Sequence, residues 1–180
     1  MLSAQTTKNL ADAFQRSVQA TLVRNAGDAC LVAPSAGPTR EKNATAKLLM
    51  ITISSFSFRL VTAFRIPQEP ATRDYYTAGA TTSLDEVFAE VANMCCGAFG
   101  RELSAQFKHL AMSVPYGLDA HCLDFLASLE PSFQASFEVT INDAARIWTT
   151  FCMCCKHPVE FAPAAAAVEV SHAGGELELF

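Results

Sequence analysis

Four apolar residues near the start of this 180-residue chain recur at intervals of four. That spacing places them on one face of an amphipathic helix. The four are Leu10, Phe14, Val18 and Leu22. The pattern predicts a first helix that begins at Thr6 or Thr7, whose hydroxyls can cap it. We expect this helix to end near Arg24, before the turn-forming step Asn25-Ala26-Gly27.

Further along, apolar and polar residues alternate, and β-branched and aromatic residues are frequent. This pattern predicts strands at 30–33, 47–54 and 57–66, because period-two alternation is typical of a half-buried sheet. The segment 34–43 is predicted to be a loop or hairpin connection. Pro67 and Pro70 close the hairpin, and a polar connection is expected from there to Ala80.

The segment 83–106 predicts a second long helix. Ser83 and Glu86 have the spacing of a capping box, in which each side chain bonds the other residue's backbone N–H. The apolar positions of this helix are Leu84, Val87, Phe88, Val91, Met94, Cys95 and Ala98. Opposite them, the pattern E-x-x-N-x-x-x-G aligns Glu90, Asn93 and Gly97 on one outward stripe.

After this helix, the sequence predicts a strand at 109–114 and a short helix or irregular segment at 119–129. Residues 133–141 and 145–155 then form a predicted hairpin that turns at Asn142-Asp143. Together these elements predict an α+β fold in which an antiparallel β-sheet is packed with two long helices. We expect a single domain at 1–160 and a C-terminal tail or small terminal hairpin at 161–180.

Composition excludes several classes of function. The formal net charge is −5, and Lys and Arg do not cluster, so neither nucleic acid nor a membrane surface is an expected partner. No stretch approaches the roughly 20 apolar residues that cross a bilayer. The first residues lack a basic segment followed by an apolar core, so we expect no secretion signal and a cytoplasmic protein.

The seven cysteines are predicted to be reduced thiols that fill apolar space. A zinc or redox site at Cys152, Cys154, Cys155 and His157 is the alternative. In a strand, however, Cys155 points away from Cys152 and Cys154, and no C-x-x-C pair is found elsewhere. We therefore expect no metal site.

The order of elements and the helix motif resemble the CheC/CheX/FliY phosphatases of bacterial chemotaxis, and most closely the single-site CheX branch. The resemblance covers roughly residues 5–160. Glu90, Asn93 and Gly97 match the family's helix motif, and Ser113 to Pro115 match the Ser-x-Pro step of the strand that follows it. Glu86 stands where the family often has Asp or Ser, and one such helix is visible rather than the two of CheC and FliY.

The resemblance implies hydrolysis of a phosphoaspartate on a CheY-like response regulator. Asn93 would orient the attacking water, and Glu90 would bind the regulator's active-site lysine. Gly97 would allow close contact with the partner, and Glu86 would either add a rim contact or serve only the helix cap. No cofactor is expected in this chain, because the regulator supplies Mg²⁺. The resemblance also implies a homodimer. A module that binds the phosphorylated regulator without hydrolysing it, like CheC or a flagellar-switch protein, is the alternative.

Overall fold

The computed structural model describes residues 2–36, 46–78 and 83–162. Within these ranges the chain forms α-helices, a 3₁₀ helix and β-strands. None of the helices there is long and apolar enough to cross a membrane. The elements in chain order are α1 (Ala4–Thr21), β1 (Cys30–Pro34), β2 (Lys47–Ser54), β3 (Phe58–Ile66), α2 (Pro70–Thr77), α3 (Leu84–Ser104), β4 (Ala111–Met112), β5 (Tyr116–Leu118), the 3₁₀ helix (Ala120–Leu129), β6 (Phe133–Ile141) and β7 (Ala145–Cys155).

The strands form one antiparallel sheet in the order β1-β6-β7-β3-β2, and both β4 and β5 pair with the outer side of β2. The two predicted hairpins, β2–β3 and β6–β7, are confirmed. Asn142 and Asp143 form the turn of the second hairpin with positive φ values of 52° and 54°. Asn and Asp tolerate this left-handed conformation better than most residues. The predicted α+β fold with an antiparallel sheet is therefore confirmed.

One face of the sheet packs against α1 and α3, and the main core lies between them. Phe14 of α1 stands at its centre, fully buried. Its ring centroid lies 5.3 Å from that of Phe99 on α3 and 4.8 Å from that of Phe151 on β7. Such tilted and edge-on ring pairs add to the stabilisation that burial already provides. The two long helices predicted from the sequence are thus the helices that cover this face.

The opposite face of the sheet carries a smaller core, which is covered by the 3₁₀ helix. Leu126 of that helix is buried there, and Cys122 and Leu123 are partly buried. The buried residues of this second core are Leu48, Met50, Val61, Ala63, Ala120, Leu126 and Cys152. The sheet is therefore covered on both faces, which places α3 and the 3₁₀ helix on opposite sides of the molecule.

The residues after β7 return to the beginning of α1. Phe161 is buried, its N–H donates to the Thr6 hydroxyl at 3.1 Å, and Asn9 Nδ2 donates to its carbonyl at 2.8 Å. The Glu160 carboxylate accepts a hydrogen bond from the same Thr6 hydroxyl at 2.6 Å. The core thus extends as far as Phe161, and the tail or terminal hairpin predicted for the end of the chain lies, from residue 163 onward, outside the described residues.

Helix α1 spans Ala4–Thr21 rather than residues 6 or 7 to about 24. It begins earlier because the Ser3 hydroxyl accepts the N–H of Thr6 at 3.1 Å and caps it. It ends earlier because the chain then turns toward α2, where the Arg24 N–H donates to the Tyr75 hydroxyl at 2.7 Å.

Further segments differ from the prediction, and one alternative that the sequence left open is decided. Helix α2 replaces the expected polar connection after Pro70, which occupies the start of the helix, where its missing N–H costs nothing. The expected strand at 109–114 pairs with β2 at Ala111–Met112 alone. The segment left open as a short helix or irregular structure is the 3₁₀ helix. Most of the predicted loop at 34–43 lies outside the described residues.

Candidate functional site

Helix α3 is fixed at its N-terminus by the predicted capping box, which is confirmed. The Ser83 hydroxyl accepts the N–H of Glu86 at 3.3 Å, and the Glu86 carboxylate accepts the N–H of Ser83 at 3.0 Å. The Ser83 hydroxyl also donates to Glu86 Oε2 at 2.9 Å. These hydrogen bonds from Ser83 hold the pKa of Glu86 below its ordinary value. Of the two alternatives for Glu86, a rim contact or the helix cap, the structure thus shows the cap.

The opposite side of α3 is buried against α1 and the sheet, as the apolar pattern predicted. Met94, expected in the apolar face, is 48% exposed, whereas Ala92 and Cys96, which were not expected there, are fully buried. The buried residues of the helix are Leu84, Phe88, Val91, Ala92, Cys95, Cys96, Phe99 and Leu103.

Glu90 and Asn93 lie on the exposed side of α3, and Gly97 is half-buried at the edge of the same stripe. Within the described parts of the chain, the Glu90 carboxylate forms no ion pair and no hydrogen bond. The structure thus brings the three predicted site residues to one surface and leaves the carboxylate available. Their functional roles remain predictions.

Gly97 is not required by the packing of the chain itself. A Cβ atom added there would meet its nearest heavy atom, Arg101 Nη1, at 3.8 Å, which is ordinary van der Waals contact. The packing of the chain would therefore tolerate a side chain at position 97, and glycine is not needed there for the fold. Arg101 follows Gly97 by four residues and extends the stripe by one turn. The same helical spacing could therefore have identified Arg101 from the sequence as a further member of the stripe.

A shallow cavity of about 240 Å³ lies beside Gly97, between the second half of α3 and the β4 edge. It adjoins the polar stripe and provides an apolar wall next to it. Met112, which lines the cavity, is 42% exposed. The residues that line the cavity are Ile53, Cys96, Gly97, Gly100, Arg101, Ser104, Leu110, Ala111 and Met112.

The Ser-x-Pro step fastens the β4 segment to the sheet. The Ser113 hydroxyl accepts the Thr52 N–H at 3.0 Å and donates to the Val114 carbonyl at 3.0 Å. The Ser113 N–H also donates to the Thr52 carbonyl at 2.9 Å. Through these contacts Ser113 holds the wall of the cavity in register with β2.

The cysteines do not assemble a metal site in the described residues, where no group of three or more His, Cys, Asp or Glu side chains could hold an ion. Cys95 is buried in α3, and burial raises the pKa of its thiol to about 12. Cys152 is buried on the second face of the sheet, and burial raises its pKa to about 11. Thiols that resist ionisation in this way are poor nucleophiles and fit the predicted role of apolar fillers.

The comparisons with solved structures bear on the fold. CheX of Borrelia burgdorferi, crystallised in a complex with CheY, BeF₃ and Mg²⁺, is 14% identical over 83% of this chain and 97% of its own, with a TM-score of 0.55. This chain has the fold of the CheX and CheC-like chemotaxis proteins. CheX of Vibrio vulnificus is 12% identical over 83% of this chain and 97% of its own, with a TM-score of 0.51.

A CheC-like protein of Shewanella oneidensis is 8% identical over 82% of this chain and 97% of its own, with a TM-score of 0.50. No protein-family model matches the sequence, and the comparison with curated proteins finds no match. At these identities the likeness concerns the fold alone. The resemblance to the CheC/CheX group stated from the helix motif is confirmed at that level.

Proposed function

We propose that this chain is a phosphatase that hydrolyses the phosphoaspartate of a CheY-like response regulator. The exposed stripe of α3 would dock at the regulator's phosphorylation site. The proposal is supported by one observation: Glu90 and Asn93 are both exposed on α3 of a fold that is similar to that of a CheX crystallised with CheY, BeF₃ and Mg²⁺.

Asn93 is assigned the catalytic role of orienting the attacking water. Its carboxamide both donates and accepts hydrogen bonds, so it can hold a water by one group and the regulator by the other. It adds no charge next to the phosphoryl oxygens. Phosphoryl transfer requires little covalent catalysis. Most of the rate acceleration that a protein can provide comes from such positioning and from electrostatic stabilisation.

Glu90 is assigned the role of fixing the register of docking. Its exposed carboxylate lies one helical turn before Asn93 and is free to meet a lysine of the regulator in a charge-assisted hydrogen bond. Gly97 lies one turn beyond Asn93, where its bare backbone lets the partner approach closely. In this arrangement Glu86 contributes chiefly through the helix cap that positions the stripe.

The metal in this mechanism belongs to the substrate. A regulator that carries a phosphoaspartate binds Mg²⁺ in its own acidic pocket, where the ion neutralises charge that develops on the phosphoryl group. The proposed partner of this chain is therefore a Mg²⁺-loaded, phosphorylated regulator, and we place the protein in the cytoplasm with it.

A binding module without catalysis is the second candidate. It would bind the phosphorylated regulator through the same stripe and leave the rate of hydrolysis unchanged. The observation that favours it is the engagement of Glu86 in the capping box, since the rim contact predicted for Glu86 would compete with the cap.

The test is a dephosphorylation assay. CheY-like regulators from the same genome are charged with acetyl phosphate in Mg²⁺, and release of phosphate is followed with and without this protein. The wild type should accelerate the release, and Asn93→Ala should lose about 10²-fold or more of that acceleration. Gln19→Ala, which removes an exposed carboxamide on α1, is the matched control and should remain active. Binding without acceleration would instead support the non-catalytic module.

A further inference from the structure

Arg101 is the one basic residue of helix α3, and it lies on the same exposed stripe as Glu90 and Asn93. An α-helix turns by about 100° per residue, so Arg101 lies within about 20° of Glu90 around the helix axis. Along the axis it follows Glu90 by about three turns, or about 16 Å. The stripe therefore carries an anion toward its N-terminal end and a cation at its C-terminal end.

The guanidinium of Arg101 extends back along the stripe. Its Nη1 atom would lie 3.8 Å from a Cβ atom placed at Gly97, one turn earlier in the helix. This direction is the usual one, because long side chains of a helix lean toward its N-terminus. Arg101 is exposed, and it also lines the cavity between α3 and the β4 edge. Its charge is thus presented on the surface next to Gly97.

Helix α3 carries five charged side chains, and most of them bind other residues of the chain. Asp85 pairs with Lys47, Glu86 closes the capping box, and Glu102 pairs with Arg16. The other two, Glu90 and Arg101, take part in none of the ion pairs or side-chain hydrogen bonds of the described residues. Within those ranges, the two unpaired charges of the helix are the two that lie on the stripe.

The position of Arg101 in the last turn offers a simpler explanation for its charge. The C-terminal end of a helix carries partial negative charge, so a cation there stabilises the helix itself. That effect needs only a position near the helix end, on any face. It does not account for the alignment of Arg101 with Glu90 or for the approach of the guanidinium to Gly97.

We propose that Arg101 is a specificity-determining residue that binds a carboxylate on the surface of the response regulator. The inference rests on the docking of the stripe under the proposed function, and it holds whether or not hydrolysis follows. Glu90 would meet a lysine of the regulator, and Arg101 would meet an acidic side chain about 10 to 16 Å from that lysine.

Opposite charges at the two ends give the stripe a direction. Docking in the reverse direction would place Glu90 against the acidic side chain and Arg101 against the lysine, and such like-charge contacts are strongly unfavourable. The helix can therefore cross the regulator in one orientation, which brings Asn93 to the phosphorylation site. Regulators that carry an acidic side chain at this distance from the lysine are the preferred partners.

The first test measures affinity for a Mg²⁺-loaded regulator charged with beryllofluoride. Arg101→Gln should weaken binding about two- to fivefold, the loss expected for an exposed ion pair. Arg101→Glu should weaken it about tenfold or more, because like charges then face each other. Arg101→Lys keeps the charge and should remain within about twofold of the wild type. The matched control is Arg59→Gln, at an exposed arginine beside the end of the 3₁₀ helix, on the sheet face away from α3.

Three further readouts separate docking from a structural role. The loss in Arg101→Gln should lie mainly in the association rate and should shrink as the salt concentration rises. The rate of phosphate loss at saturating protein should equal that of the wild type, because Arg101 is not placed at the reacting atoms. Light scattering should give an unchanged mass, since a changed mass would assign Arg101 to self-association and overturn the inference.

A charge exchange identifies the partner residue. Exposed Asp and Glu residues of the regulator are replaced by Lys one at a time. One such regulator variant should lose affinity for the wild-type chain and regain it with Arg101→Glu, because opposite charges then meet again. If no regulator variant restores binding to Arg101→Glu, Arg101 forms no direct ion pair with the regulator and the inference is wrong.

The inference can fail without the proposed function. If the wild type binds the charged regulator and Arg101→Glu binds it as tightly as Arg59→Gln does, Arg101 lies outside the interface. The roles proposed for Glu90 and Asn93 would then be unaffected. A wild type that binds no charged regulator would instead overturn this inference together with the docking of the stripe.

Discussion

Asn93 and Gly97 occupy interior positions of α3 although both residue types disfavour a helix interior. Gly costs about 1 kcal/mol relative to Ala there, and Asn costs about half as much or more. The structure shows no internal contact that repays Gly97, since a Cβ would fit without a clash. A contact surface would explain why the helix keeps both residues, and this is the role that the helix motif predicts for them.

Gly97→Ala tests this interpretation against a matched control, Gly100→Ala on the same helix. A Cβ at Gly100 would meet Ile53 Cδ1 at 4.0 Å, so both substitutions should fold and should raise the free energy of unfolding by up to about 1 kcal/mol. Gly97→Ala alone should weaken binding of the charged regulator. Urea unfolding and regulator affinity measure the two effects, and equal losses of affinity in both variants would remove the role assigned to Gly97.

Glu90→Gln tests the docking contact. The substitution keeps the shape of the side chain and removes the charge, so it should lower regulator affinity, and the remaining affinity should depend less on salt than that of the wild type. Glu69→Gln is the control, because Glu69 precedes α2, is exposed and makes no side-chain cap bond. Titrations at low and high salt give the result. An unchanged salt dependence in Glu90→Gln would place the charge contact elsewhere.

At the level of elements, a hydrogen-bond network around Asp28 joins the end of α1 to α2 and to the β6–β7 turn. The Asp28 carboxylate accepts from the Tyr75 hydroxyl at 2.6 Å, from Asn142 Nδ2 at 2.9 Å and from the Asn25 N–H at 3.0 Å. These bonds, the one from Tyr75 foremost, lower the pKa of Asp28 to about 2 from an ordinary value of 3.8. The network fixes α2, which packs against α3.

This network predicts a dependence of stability on pH. Because the folded pKa of Asp28 is depressed, its contribution is present above the unfolded value near 3.8 and is lost as pH falls toward about 2. Asp28→Asn should therefore lose stability at neutral pH and show a smaller further loss between pH 4 and pH 2 than the wild type. Asp74→Asn, at an exposed carboxylate of α2, is the control. Parallel losses in all three proteins would contradict the assignment.

The elements that could be predicted are those whose signal is local. The capping box at Ser83 was enough to predict the start of α3, and the alternation in β2, β3, β6 and β7 was enough to predict these strands. Each of these signals is complete within its own segment. Helix α2 was missed because its buried face consists of Thr72 and Tyr76, which is too little for an apolar stripe. Tyr76 is instead held by a distant contact, since its hydroxyl donates to the Leu22 carbonyl at 2.7 Å.

The same distinction applies to individual side chains. The α3 stripe was visible in the sequence because three residues on one helix define it. The contact of Arg65 with Trp148 was not, because it depends on the pairing of β3 with β7. Arg59 and Arg65 both lie in β3, and only the structure shows that Arg65 is the buried one.

At the scale of the whole molecule, the sheet ends in two edges of different character. The β1 edge exposes Leu31, whereas the β4–β5 edge exposes a longer set of apolar side chains. Exposed apolar residues beside unpaired strand edges favour association with another copy. The exposed set at the β4–β5 edge is Met112, Val114, Tyr116 and Leu118.

We therefore expect a homodimer that associates through the β4–β5 edge. Light scattering should give twice the mass of the 19.4 kDa chain. Val114→Lys, at a residue 78% exposed, should shift the protein to monomer, and Leu31→Lys on the opposite edge should not. A monomeric wild type at high concentration would contradict the dimer. Dissociation by Leu31→Lys alone would instead place the dimer interface at the β1 edge.

The central claim is that Asn93 acts on the transition state of dephosphorylation and not on docking. The most direct test measures both quantities for Asn93→Ala: affinity for a Mg²⁺-loaded regulator charged with beryllofluoride, and the rate of phosphate loss at saturating protein. The account predicts an affinity close to that of the wild type and a rate reduced by about 10²-fold or more. An active wild type together with an Asn93→Ala variant that binds weakly but hydrolyses at the full rate once saturated would contradict it.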